Sequence, residues 1–192
     1  MPNLVLASSS RYRQAILSKL RIEFQSISPD IDESAIDGEL PEQLVSRLAE
    51  KKALAVAEQF PRHLIIGSDQ VAIIGDQILT KPGSHAIATR QLKEASGKTV
   101  RFLTGLCLYN AVTQTRQTQC VPFHVHFREL SEQQIENYLH AEKPYDCAGS
   151  FKSEGYGICL FRKLQGDDPN SLIGLPLIAL IDMLRNEGVA VP

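Results

Sequence analysis

Apolar positions along the chain fall into short blocks that switch between the strand period and the helix period. Residues 4–7 form a continuous apolar run of strand length, closed by Ser8-Ser9-Ser10. A helix is predicted over 11–20, with Ala15, Ile16 and Leu20 on one side and a serine as its N-cap. A second short strand is expected at 23–27. A polar loop follows, holding Asp30, Asp32, Glu33, Asp37 and Glu39. Pro41 opens a helix expected to reach residue 60, since proline suits the first helical turn. Its apolar stripe is Leu44, Val45, Leu48, Ala55 and Val56.

A strand at 63–66 then leads into Gly67-Ser68-Asp69-Gln70, and 71–74 with 77–79 read as a hairpin around Gly75-Asp76. The next helix, 84–95, closes at Gly97. Two long β-rich runs follow at 100–109 and 115–127. Ser131 caps a helix to residue 141, with Glu132 in its first turn. A strand at 156–161 and a helix at 176–185 complete the chain. Strands and helices interleave around a long β-ribbon. This predicts an α/β fold with a mixed, elongated sheet flanked by helices, rather than a regular parallel sheet.

Composition narrows the function classes. The 192 residues are 43% apolar and 22% charged, which fits one folded domain and excludes a disordered chain. Twenty basic residues against 22 acidic ones give a formal charge of −2. That excludes a broadly basic face for a nucleic acid polymer but leaves room for a small cationic cluster. The four cysteines form no C-x-x-C pair, which suggests reduced thiols in the cytoplasm. No apolar run approaches membrane-spanning length, and the first residues lack a basic leader, so neither a membrane span nor a signal peptide is expected.

Several residues break the local pattern. The strand-to-helix turn around Ser8 adds Arg11 and Arg13 to hydroxyls and helix-end N–H groups, a combination suited to phosphate. Lys52 falls inside an apolar stripe, where it must snorkel, pair with a carboxylate or enter a cleft. Asp69 sits between two apolar strand segments and must be paired, protonated or metal-bound. Asp32-Glu33 offers hard oxygens to a divalent cation, with solvated acids as the plain alternative. Lys81 and Glu154 each lie beside a turn and say little alone. His124 and His126 share a strand face without an evident third ligand, so core or surface roles are expected for them. Asp167-Asp168-Pro169-Asn170 reads as a turn. The chain has no Walker A, H-E-x-x-H or G-x-S-x-G motif.

Taken in order, Leu6 to Arg13, Asp32-Glu33, Arg47-Leu48-Ala49 with Lys52-Ala53, Gly67 to Gln70, Lys81-Pro82, Thr104-Gly105 and Gly174-Leu175-Pro176 resemble the Maf family of nucleoside triphosphate pyrophosphatases. Gly67 to Val71, Pro122 to Arg128 and Ala148 to Gly155 look like its N7-methyl-GTP branch. The resemblance implies one Maf-like domain over 1–192, with two lobes about a central cleft, like inosine triphosphate pyrophosphatases. It implies a nucleotide substrate, Mg²⁺ or Mn²⁺, a cytoplasmic monomer or homodimer, and water attack at the α-phosphorus. By position, Asp69 would accept the proton or mainly ligate the metal, Glu33 would hold the metal directly or through water, and Ser8, Arg13, Lys52 and Lys81 would hold phosphates. Tyr12, Gln70 and Glu154 would select the base. A carboxylate at Glu154 suits the guanine edge, and an aromatic at Tyr12 suits a cationic purine. Two alternatives stay open: a broader pyrophosphatase for modified or pyrimidine nucleotides such as dTTP and UTP, and a nucleotide-responsive regulator of septum formation.

Overall fold

The computed structural model describes residues 3–191. Its elements are β1 (Asn3–Ala7), α1 (Arg11–Leu17), β2 (Phe24–Ile27), α2 (Pro41–Ala55), β3 (His63–Ile74), β4 (Gln77–Leu79), α3 (His85–Ala95), β5 (Thr99–Asn110), β6 (Thr115–Phe127), α4 (Glu132–Glu142), β7 (Phe161–Gln165), α5 (Pro169–Ile173) and α6 (Leu177–Asn186). The fold is mixed α/β. Seven strands join in the order β2-β1-β3-β5-β6-β7, with β4 hydrogen-bonded to β3. β1 runs parallel to both β2 and β3, whereas β3–β4 and β6–β7 are antiparallel.

The chain divides into two compact units. The first takes the chain up to Gln70, then Thr104–Val121, then the chain from Asp168 onward. The second takes Val71–Leu103 and Pro122–Asp167. In the first unit the apolar run of β1 is explained by burial on both faces, as parallel strands require. Leu4 and Leu6 pack with Ile16, Leu17, Leu180 and Leu184 on one side. Val5 and Ala7 pack with Ala49, Ala53 and Val56 on the other. In the second unit Phe102, Phe127, Phe151 and Phe161 form an edge-to-face cluster, with centroids 4.8–5.5 Å apart.

Four local expectations are corrected. Gly67 to Gln70 does not separate two strands, because β3 runs unbroken from His63 to Ile74. Its polar residues find partners on both faces, so the strand need not end. Residues 156–160 form a 3-10 helix, and the last strand starts at Phe161. The supposed turn at 167–170 starts the short helix α5, capped by Asp168, which accepts the Asn170 N–H at 2.8 Å. Ala55 is exposed, and the buried stripe of α2 runs through Ala49, Lys52 and Ala53 instead.

Candidate active site

Two glycines let α2 lie against the sheet. A Cβ on Gly67 would sit 2.0 Å from the Ala49 carbonyl oxygen, and one on Gly105 would sit 2.1 Å from that of Val45. No side chain fits either position, so the helix packs backbone to backbone on β3 and β5. The strand alternation then decides direction. Gly67 and Asp69 face α2, while Ser68 and Gln70 face the segment around α5.

On the α2 side, Lys52 and Asp69 are both buried, and Lys52 Nζ donates to Asp69 Oδ1 at 2.6 Å. The same ammonium lies 2.8 Å from Glu33 Oε1, on a side chain that is 59% exposed. Lys52 is thus neither snorkelling nor solvated. It bridges a buried carboxylate and one open to solvent. An ammonium has three donors, and these two contacts use two of them.

Glu33 is held in place by its loop. The Asp32 carboxylate accepts the Ser34 N–H at 2.9 Å. Arg47 Nη2 donates to the Ser34 carbonyl at 3.0 Å and to Glu39 Oε2 at 2.6 Å. The Glu39 carboxyl is held down at about 2, first by the Arg47 hydrogen bond.

On the other side, Arg13 Nε donates to the Gly174 carbonyl at 2.8 Å, and Ser68 Oγ reaches that oxygen at 2.9 Å. Burial pulls the Arg13 guanidinium below its ordinary value, and the charges of Asp69 and Glu33 oppose that shift. Arg13 therefore shares an electrostatic environment with both acids. Buried Ser8 accepts the Ser10 N–H at 3.1 Å, shaping the turn into α1.

The base-selection residues have mixed placements. Tyr12 already has a cation on its ring, with Arg11 Cζ 5.2 Å from the centroid. Gln70 donates its amide to Ser171 O at 2.7 Å and to Thr104 Oγ1 at 2.9 Å. It clamps α5 to the sheet and keeps its side-chain oxygen as an acceptor. Glu154 and Lys81 are exposed residues of the second unit. Glu154 accepts the neighbouring Ser153 hydroxyl at 3.3 Å.

The family profile for Maf-like protein matches residues 3–187. The chain belongs to the Maf-like protein family. The Maf-like chain is 56% identical over 192 residues to the 7-methyl-GTP pyrophosphatase of Pseudomonas aeruginosa, with 100% of both chains covered. It is 59% identical to the protein of that name from Pseudomonas savastanoi pv. phaseolicola, again over 100% of both. A third, from Alcanivorax borkumensis, is 59% identical over 100% of this chain and 97% of its own. Among solved structures, the Staphylococcus aureus Ham1 protein is similar in fold, with a TM-score of 0.55 at 14% identity. That match covers 96% of this chain and 99% of the other.

Two residues of this Maf-like chain make joints that the sequence reading did not assign to them. Asp168, buried, also accepts the Ile178 N–H at 2.9 Å, so it ties α5 to the start of α6. Gln91, buried on α3, donates to the Thr80 carbonyl at 3.0 Å and accepts from Ser150 Oγ. It links the residue before Lys81 to the segment leading to Glu154. The signal was available: a glutamine between Ala88 and Leu92 breaks an apolar stripe as Lys52 does.

The donor set also fits a hard divalent cation. Glu33 and Asp69 each give Lys52 one oxygen and keep a second. Carboxylate oxygens suit Mg²⁺ or Mn²⁺. His124 and His126 do not form such a set; Thr99 Oγ1 lies 2.8 Å from His126 Nδ1. Among the described residues, none of the four cysteines is in a disulfide.

Proposed function

We propose that this chain is a nucleoside triphosphate pyrophosphatase that converts N7-methyl-GTP and water to N7-methyl-GMP and diphosphate. The observation that carries it is Lys52 held between Glu33 and Asp69, two acids whose charges also act on the Arg13 guanidinium. This set supplies cations for a triphosphate and carboxylates for a metal and a proton. The names of full-length relatives at 56–59% identity point to the same substrate.

In the reaction, water oxygen bonds to the α-phosphorus as the bond to the bridging oxygen breaks. Diphosphate leaves with the electron pair. The Asp69 oxygen not bound to Lys52 takes the water proton. The remaining N–H of Lys52 and the terminal nitrogens of Arg13 stabilise charge on the phosphate oxygens, a contribution of about 2.7–4 kcal/mol per well-placed donor. Glu33 and Asp69 would hold a divalent metal, which when bound neutralises phosphate charge and acidifies water. Lys81 is assigned to the phosphates, and Ser8 to the turn that shapes their site. Tyr12, Gln70 and Glu154 are assigned to the base. The cytoplasm, with reduced thiols, is the proposed setting.

Pyrophosphate release from a panel of nucleoside triphosphates with Mg²⁺ or Mn²⁺ tests this reading. N7-methyl-GTP should show the highest kcat/KM. Faster turnover of dTTP and UTP would overturn the substrate assignment. The Arg11 guanidinium over Tyr12 favours a second reading, a broader pyrophosphatase, since a cation already takes one face of the ring and repels a cationic purine. If Glu154→Gln leaves the substrate profile unchanged, the broader reading replaces the first.

A further inference from the structure

We propose that His85, Glu136 and His140 form a second metal site, selective for one borderline divalent ion of the zinc class. All three belong to the second unit, apart from the Glu33–Lys52–Asp69 set, and the inference does not depend on the proposed substrate.

The geometry comes from two helices. Glu136 and His140 are four residues apart on α4 and therefore share a face. His85 is the first residue of α3. One candidate ligand atom from each lies within 4.8 Å of the others. His85 Nε2 is 2.8 Å from Glu136 Oε2, and His140 Nε2 is 3.7 Å from that same oxygen. The two imidazole rings lie 5.1 Å apart, tilted by 35°.

An ordinary surface ion pair would need only His85 and Glu136. The surroundings go further, because the atoms turned away from the centre have partners of their own. Tyr145 Oη lies 2.9 Å from His85 Nδ1. Thr89 Oγ1 donates to Glu136 Oε1 at 3.1 Å. Ligation through His85 Nε2 requires the ring proton on Nδ1, where the tyrosine oxygen can accept it. Such outer partners fix the tautomer and aim of metal-bound histidines and carboxylates.

Two imidazoles with one carboxylate suit Zn²⁺, Co²⁺ or Ni²⁺ better than Mg²⁺, which prefers oxygen alone. Three protein ligands leave a fourth position. The His140 side chain is 74% exposed, so that position opens to water. The bound ion would staple the start of α3 to the last turn of α4. The turn before α3 is tied to the same place, since the Gly83 N–H donates to the Tyr145 carbonyl at 3.0 Å.

The test is a Zn²⁺ titration of the tag-free chain against a chromophoric chelator, with excess Mg²⁺ present to occupy oxygen sites. One Zn²⁺ per chain is expected. His140→Ala, at an exposed position, should weaken binding at least tenfold while leaving Mg²⁺-supported pyrophosphate release unchanged. Thr89→Val should weaken binding about 10-fold through the carboxylate it orients. Co²⁺ should give the visible absorption of a low-coordinate site in the wild type and not in His140→Ala. No Zn²⁺ bound by the wild type, or a loss smaller than tenfold in His140→Ala, overturns the proposal.

Discussion

Lys52 Nζ and Asp69 Oδ1 lie 2.6 Å apart in a buried contact between α2 and the middle of β3. Neither charge would be stable there alone, and Glu33 adds a second carboxylate to the same ammonium at 2.8 Å. The pair is both a structural joint and the centre of the proposed chemistry, so its two halves should fail differently.

Lys52→Ala leaves Asp69 buried without its cation. Removing one partner of a buried pair costs about 3–5 kcal/mol. A loss of that order in urea unfolding is expected, together with a drop in kcat of about 10²-fold or more. Asp69→Asn keeps a hydrogen-bond acceptor for Lys52 and removes the proton acceptor. It should retain most of the stability and lose turnover. Full activity in Asp69→Asn would remove Asp69 from the reaction.

Gly67→Ala tests the close approach of α2. The added methyl would overlap the Ala49 carbonyl, which is backbone and cannot swing aside. Overpacking of this kind costs about 1–3 kcal/mol. Because the displaced helix carries Lys52, kcat should fall in parallel with the denaturation midpoint. A Gly75→Ala control, where nothing lies within 4 Å, should be strained only by its positive φ of 56° and should leave kcat unchanged.

Alkaline stability should depend on Cys107. Burial pushes its thiol up from 9.0 to about 11. Between those values the unfolded chain has lost the proton and the folded chain keeps it, so rising pH favours unfolding. The stability is complete below pH 9 and is lost as pH rises through about 11, by about 3 kcal/mol. Cys107→Ala should flatten that slope in unfolding measured across the range. An unchanged slope would show that other groups control it.

Acid should loosen the loop that carries Glu33. The Glu39 carboxyl, held near 2 by Arg47, contributes stability that is present above its ordinary value of 4.5 and lost as pH falls through about 2. Glu39→Gln should raise the KM for nucleotide at neutral pH, and the stability difference from wild type should vanish near pH 2. An unchanged KM would show that Glu33 needs no support from the Arg47–Glu39 pair.

Particular residues show how far the sequence could be read. Leu4 to Ala7 reads as a strand buried on both faces, because its four apolar residues run without a polar break and end at a serine cluster. Lys52 and Asp69 each stood out by breaking an apolar pattern, since burying a charge demands a partner. The run at 156–161 misled, because an apolar stretch of strand length also fits a 3-10 turn. Gly67 to Gln70 misled in the opposite direction. Gly, Ser, Asp and Gln together have the composition of a turn, yet each finds a place in one continuous strand.

The sequence by itself determined the α/β class, most element positions and the few residues whose charge or polarity needed an explanation. Those follow from periodicity and from the cost of burying polar groups, which act locally along the chain. Only the tertiary structure decided who pairs with whom. Lys52 and Asp69 are 17 residues apart, and Arg13 reaches Gly174 across 161. Such contacts depend on a glycine letting a helix approach and on which face of a strand a residue occupies. A one-residue change in register would reverse those faces without altering the local pattern.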